Sequence, residues 1–304
     1  MPTVAQLCAE LENARTTSRE LVEQALARIS DAAGEGARAF IKVYAEQARA
    51  DADYSDRLRK GGVRRSAVDG LPVSVKDLFD VAGDVTRAGS KVLEKNSPAQ
   101  NDAPAVARLR AAGAVLIGRT NMVEFAFGGV GLNPHYGTPR SPYERKTGRV
   151  PGGSSSGAAV SVADGMCMMG LGTDTRGSVR IPAAACGIAG FKPTARRVPR
   201  EGAFPLSFTL DSIGPLANSV ECCATYDAVL AGEAPARRPR LDVKGLRLLV
   251  PSSSPLQDLD EAVGKAFGSA LSRLAQAGAQ VIEAPVPAFD RQGEYFRQGG
   301  FAGA

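Results

Sequence analysis

The chain contains no tryptophan and one histidine, and aromatic residues make up 6% of its 304 positions. A lone histidine, His135, excludes any centre built on two, the H-E-x-x-H zinc motif included. The five cysteines, at 8, 167, 186, 222 and 223, form no C-x-x-C pair. That count and spacing argue against a disulfide framework or a zinc cluster and fit reduced thiols in a cytoplasmic compartment. No window holds the roughly 18 uninterrupted apolar residues of a membrane span. The most apolar part, after Ala158, is broken by Asp164 and several glycines. No basic segment followed by an apolar one opens the chain, so no secretory leader is expected. G-x-G-x-x-G and G-x-x-x-x-G-K-[ST] are both missing, which removes the common nucleotide motifs. The net charge of +5 comes from scattered basic residues. They form no stripe with interleaved aromatics, so neither nucleic acid nor membrane is an expected partner.

What is present is ordinary globular composition, 44% hydrophobic and 23% charged, in a chain long enough for a substantial core. Val4, Leu7 and Leu11 predict a short helix. Thr17-Ser18-Arg19-Glu20 reads as a capping box heading a second, with Leu21, Val22, Ala25, Leu26 and Ile29 at helical spacing. Ala39 to Tyr44 reads as a strand, followed by a polar helix from Glu46 to Lys60 that Gly61-Gly62 ends. Leu71 to Asp77 alternates with period two; Leu71, Val73 and Val75 point one way, Ser74 and Lys76 the other. Asp102 and Pro104 predict a helix start and Gly113 its end, before a buried strand from Ala114 to Gly118. Leu246 to Val250 is a further strand. Asp258 and Glu261 suit the cap of a helix carrying Val263, Ala266, Phe267, Ala270, Leu271 and Leu274; Gly278 ends it and Val281-Ile282 begins another strand. The stretch 231–240, with its Arg237-Arg238-Pro239-Arg240 run, reads as a solvated surface linker. Alternating strands and helices predict an α/β sandwich around a mainly parallel or mixed sheet.

The chemistry is concentrated between Pro151 and Pro182, where two clusters of hydroxyls and glycines flank a small apolar segment. Glycines let main-chain N–H groups approach a ligand, although such a stretch also suits a plain loop. Gly153-Ser154-Ser155-Ser156-Gly157 matches the G-x-S-x-G nucleophile elbow, but that fold needs a histidine downstream of the serine and His135 lies upstream. The elbow fails, and His135 reads as a loop residue. A serine without histidine needs another base, and a lysine serves once burial lowers its pKa from about 10.4 toward neutrality. Lys76 is the candidate, opposite three apolar side chains on its strand. The competing reading pairs it with Asp77 at the strand end.

Three motifs in order resemble the amidase signature family: Gly70-Leu71-Pro72-Val73-Ser74-Val75-Lys76-Asp77, then Pro151 to Gly157, then Gly172-Thr173-Asp174-Thr175-Arg176-Gly177-Ser178-Val179-Arg180-Ile181-Pro182. Supporting pieces include Gly118 to Phe125, Gly190 to Thr194 and Leu210 to Leu216. The resemblance implies a mixed, mostly parallel twisted sheet covered by helices on both faces, as a single domain over 1–304 lacking the family's usual C-terminal part. It implies hydrolysis of a small-molecule amide through an acyl-enzyme on a Ser–cis-Ser–Lys triad. Lys76 would be the base, Ser154 the bridging serine in a cis peptide, and Ser178 the nucleophile. Main-chain N–H groups of Thr175, Arg176, Gly177 and Ser178 would form the oxyanion hole, with Ser155, Asp174 and Arg180 as supports. Without the family, Asp174 and Arg180 read as an ion pair. Gly128 and Gly129 are pocket candidates, in a stretch from Glu124 to Asn133 that is similar to general amidases. No cofactor or metal is implied, and a homodimer is compatible with the pattern. The family commonly has glycine at the position of Arg176, whose side chain restricts the oxyanion loop, reaches toward the pocket mouth, or simply points outward. The alternatives are the A subunit of a glutamyl-tRNA(Gln) amidotransferase and an inactive truncated fragment.

Overall fold

Two threonines open the first helices of the computed structural model, which describes residues 1–234, 241–252, 256, 258–291, 294 and 297–298. Thr3 caps α1 (Val4–Glu12) and Thr17 caps α2 (Ser18–Ser30), each in a reciprocal capping box, with Gln6 and Glu20 reaching back to the cap. Such a cap contributes about 1 kcal/mol by satisfying amides that the first turn leaves without partners. A short α3 (Gly36–Ala39) leads into β1 (Phe40–Val43) and α4 (Ala45–Lys60), which Gly61 closes. Then come β2 (Pro72–Lys76), α5 (Pro104–Ala111), β3 (Val115–Thr120), α6 (Ser156–Ala163), β4 (Met169–Asp174), α7 (Arg180–Cys186), β5 (Ala189–Gly190), β6 (Ser212–Ala217) and α8 (Val220–Ala231). The helix start expected at Asp102 and Pro104 is found, with Pro104 the first residue of α5. The cap is Ala103, and the Asp102 carboxylate accepts the Ala82 N–H at 2.7 Å.

The chain divides into two compact units, Met1–Ala236 and Arg237–Ala304. In the first, six strands form one mixed sheet in the order β1-β3-β2-β4-β6-β5. The central three, β3, β2 and β4, run parallel, and β1, β6 and β5 pair antiparallel at the flanks. Helices cover both faces. Val73, Val75, Leu116 and Leu171 pack with α1, α5 and α8, while Val115 and Ile117 pack with α2, α4 and α6. Every residue of β2, β3 and β4 is therefore buried, whichever way it points. The second unit holds β7 (Arg247–Pro251), α9 (Glu261–Gln276), β8 (Gln280–Ala284) and α10 (Pro287–Asp290), with β7 and β8 parallel. The cap of α9 is Asp260, whose side chain accepts the Ala262 N–H at 2.9 Å; Asp258, with φ of 58°, lies outside the helix. Of the linker expected over 231–240, residues 235–240, the arginine run included, lie outside the described residues. Ala231 still belongs to α8, and Gly232 ends that helix with a left-handed φ of 80°.

α6 buries all seven residues from Ser156 to Val162, and only small side chains allow it so close to the sheet. A Cβ on Gly170 of β4 would stand 2.8 Å from the Ala158 carbonyl, and one on Gly157 would stand 2.2 Å from the Ala39 carbonyl. Overpacking against backbone that cannot move aside typically costs about 1–3 kcal/mol. Gly157→Ala is expected to lower the chemical denaturation midpoint by an amount in or above that range, measured against wild type. An unchanged midpoint would mean that α6 stands off from Ala39 and Asn121 in solution.

Candidate active site

β2 lies between β3 and β4, and its last residue, Lys76, is completely buried. Period two puts Ser74 and Lys76 on the face that α6 covers, and Ser74 Oγ lies 3.0 Å from Ser161 Oγ on that helix. Lys76 Nζ donates to Ser154 Oγ at 2.7 Å and to Thr173 Oγ1 at 2.8 Å. Burial disfavours the ammonium and pushes its pKa down to about 7, while the negative charges of Asp211 and Asp174 pull it upward. The pairing of Lys76 with Asp77 is not made. Asp77 accepts the Gly89 N–H at 3.0 Å and stands 3.5 Å from Arg119 Nη1.

Ser154 sits in a loop entered from Pro151 and Gly152, and the Gly153–Ser154 peptide is cis. Gly152 has φ of 73°, and a Cβ there would meet the Pro182 backbone at 2.9 Å, so glycine is required. Main-chain bonds fix the loop on three sides. Gly153 N–H donates to the Gly129 carbonyl at 2.8 Å, Val123 N–H to the Ser154 carbonyl at 3.0 Å, and Ser155 N–H to the Ser178 carbonyl at 3.3 Å. Gly128 and Gly129 are exposed, and Gly129 enters the site through its carbonyl.

Ser178 lies in the turn from β4 to α7 and is 8% exposed. Asp174 organises that turn: its carboxylate accepts the N–H groups of Gly177 (2.7 Å), Val179 (3.2 Å) and Arg180 (3.3 Å). It also takes a two-pronged contact from the Arg180 guanidinium, both bonds 2.9 Å. The ion pair read from the sequence is made. Although burial raises the Asp174 pKa, these donors hold it below the ordinary carboxylate value. Of the four expected oxyanion donors, Gly177 directs its N–H at Asp174. Arg176 is exposed. His135, in a turn, contacts Glu124 Oε1 at 3.0 Å.

Two residues without an assigned role also meet here, Thr173 and Asp211. The Thr175 hydroxyl donates to Asp211 Oδ1, and Asp211 Oδ2 accepts the N–H groups of Leu206 (2.9 Å) and Ser207 (3.1 Å). The pairing of β2 with β4 is the signal that finds Thr173: Val75 pairs with Leu171, so Thr173 lies one step beyond the residue level with Lys76. A cleft of about 300 Å³ opens beside both residues, lined also by Arg200, Ala203, Pro205, Phe208 and Ile213. Among the described residues, no group of three or more His, Cys, Asp or Glu is placed to hold a metal ion, and no helix is long and apolar enough to cross a membrane.

The family model for Amidase matches residues 20–302. A 2-amino-5-chloromuconic acid deaminase from Comamonas testosteroni is 45% identical over 259 residues, covering 84% of this chain and 56% of that enzyme. The A subunit of the glutamyl-tRNA(Gln) amidotransferase from Anaeromyxobacter dehalogenans (strain 2CP-C) is 43% identical over 284 residues, covering 89% of this chain and 57% of that protein. Among solved structures, the native peptide amidase from Stenotrophomonas maltophilia superposes with a TM-score of 0.84 at 33% identity, covering 97% of this chain and 63% of that one. The chain thus spans a little over half the length of these two curated relatives.

The lowered Lys76 pKa gives a thermodynamic expectation. Folded Lys76 loses its proton through pH about 7, whereas lysine in the unfolded chain keeps it until about 10.5. Between those values the unfolded state binds more protons, so stability rises with pH; the cost of burying the ammonium is fully present below 7. The unfolding free energy of wild type minus that of Lys76→Met is expected to rise by roughly 2 kcal/mol from pH 7 to 9. A flat difference would contradict a depressed lysine.

Proposed function

The chain belongs to the amidase family, and from that premise we propose that it hydrolyses a carboxylic amide through a serine acyl-enzyme. The observation that carries the reading is the buried Lys76 amine, 2.7 Å from Ser154 Oγ. In this mechanism neutral Lys76 is the base, Ser154 the bridge and Ser178 the nucleophile. The neutral amine has one lone pair, so its contact with Ser154 reverses direction and the serine hydroxyl donates. Ser154 passes its proton to Lys76 and takes that of Ser178, whose Oγ bonds to the amide carbonyl carbon. The relay then returns a proton to the nitrogen as the C–N bond breaks and the amine leaves. Water, deprotonated through the same relay, attacks the ester carbonyl, and Ser178 recovers its hydrogen as the acid departs. The developing oxyanion falls to the main-chain N–H groups of Thr175, Arg176 and Ser178. Ser155, Asp174 and Arg180 hold those donors in place.

The cleft beside Thr173 and Asp211, at about 300 Å³, is at the small end of ligand sites. It suits a small or aryl amide, with Gly128 and Gly129 as further candidates for the pocket wall. The relay needs neither cofactor nor metal, and reduced cysteines fit a cytoplasmic setting. A second reading, the A subunit of a glutamyl-tRNA(Gln) amidotransferase, draws on the 43% identity to such a protein. Retention of tRNA-amidating partner proteins by the tagged chain would favour it over a free-standing hydrolase.

A fluorophosphonate probe is expected to label Ser178 in the wild-type chain and not in Ser178→Ala. Lys76→Ala should reduce kcat/KM for any amide that wild type cleaves by about a hundredfold or more. Because the neutral amine is the active form, kcat/KM should rise with pH through about 7 and level off above it. A folded wild-type chain that neither labels at Ser178 nor cleaves amides would establish the inactive-fragment reading instead.

A further inference from the structure

We propose that Asp211 is a positioning residue for the amide-hydrolysing site, tying the front of the nucleophile turn to the cleft wall. The inference rests on the reading of Ser178 as nucleophile. Its geometry follows from the sheet. β6 runs antiparallel to β4 with Ser212 opposite Asp174, so Asp211 stands one step further, opposite Thr175. There its carboxylate divides its two oxygens. Oδ1 takes the Thr175 hydroxyl, and Oδ2 takes the N–H groups of Leu206 and of Ser207, the latter on the cleft wall. The Asp211 N–H donates to the Ser207 carbonyl at 3.2 Å, which closes the wall on the same residue.

The turn from 175 to 178 is therefore held by two carboxylates from two strands. Asp174 grips its far side through Gly177, Val179 and Arg180. Asp211 grips its near side through Thr175, the first of the amides assigned to the oxyanion. Movement of Thr175 would turn that N–H, and its neighbour at Arg176, away from the developing charge.

The same two carboxylates set the field on Lys76. Asp174 shares its charge with Arg180, whereas the Asp211 carboxylate is bonded to a hydroxyl and two amides, with the Arg200 guanidinium 3.4 Å from its main-chain carbonyl. Asp211 thus opposes the desolvation of the lysine and keeps its pKa from falling further. A residue that served folding alone would move neither the rate nor the pH at which the rate rises.

Two variants separate these effects, with kcat, KM and the acidic limb of kcat/KM read for each and folding checked by denaturation midpoint. Asp211→Asn removes the charge, so the acidic limb should shift to lower pH by roughly half a unit or more, with kcat reduced. Thr175→Val removes the hydroxyl and no charge. It should reduce kcat by about tenfold or more, leave KM and the limb in place, and be rescued by Thr175→Ser. If Asp211→Asn does not fold, the threonine series decides alone. Wild-type kcat in Thr175→Val, or a limb unmoved in folded Asp211→Asn, overturns the inference while leaving labelled Ser178 as nucleophile. Absence of labelling in wild type overturns both.

Discussion

A primary amine completely enclosed at the end of a central strand is the constraint on which the site depends. Lys76 gains only two hydrogen bonds in exchange for its hydration, from its Nζ to Ser154 and Thr173. Those partners are neutral hydroxyls, which suit an amine near neutrality better than a fixed cation. To enclose it, α6 must lie almost against the sheet. That requirement accounts for the run of glycine, alanine, valine and serine from Ser156 to Ala163, and for the glycines on the facing strands. The two polar clusters flanking α6 are then brought together by the fold. One enters the helix and the other leaves β4, so serines 24 positions apart in sequence share one end of the sheet.

The electrostatics are a balance of opposing effects. Desolvation lowers the Lys76 pKa, and the nearby carboxylates oppose that fall. The structure places two carboxylates near the amine and gives one of them an arginine, so the net field is moderate. Asp174 has a second task, because its acceptor capacity shapes the turn. Gly177, with φ of 125° and its N–H on that carboxylate, is the residue that allows the turn to close.

Much of this was legible in the sequence, and the parts that were not share a cause. Helix starts with side-chain caps, Thr17 above all, and strands with alternating burial, such as Leu71 to Asp77, follow from local chemistry. The assignment of Lys76 as a lysine enclosed among apolar groups also followed, because period two puts it opposite Val73 and Val75. The cap expected at 258 misled, since an aspartate near a helix start caps only when its own backbone is at the boundary; Asp260 takes that place instead. Thr173 and Asp211 escaped notice because their partners come from register across strands. The pairing of β4 with β6 sets Asp211 opposite Thr175 across 36 positions of chain, and no local spacing encodes that. Gly177 fits the expected motif, but only the carboxylate in front of it reveals where its N–H points.

The residue after the lysine shows why a buried base can coexist with a buried ion cluster. Asp77 is completely enclosed, burial raises its pKa to about 6, and Arg119 opposes that rise. Arg119, itself fully buried, also donates through Nε to Asp84 at 2.8 Å, and Asp84 in turn accepts from Lys42 and Tyr44. Were this cluster on the lysine's face, its charges would act on the amine at close range in a medium that screens poorly. The pleat separates them. One step along β2 reverses the side-chain direction, so Asp77 turns to Arg119 and the Gly89 amide while Lys76 turns to the serines. The ion cluster anchors the segment after β2, including Gly89, whose carbonyl receives Asn133 Nδ2 at 2.8 Å. It fixes the strand end from behind, so the position of the lysine is set by ionic bonds that take no part in its protonation.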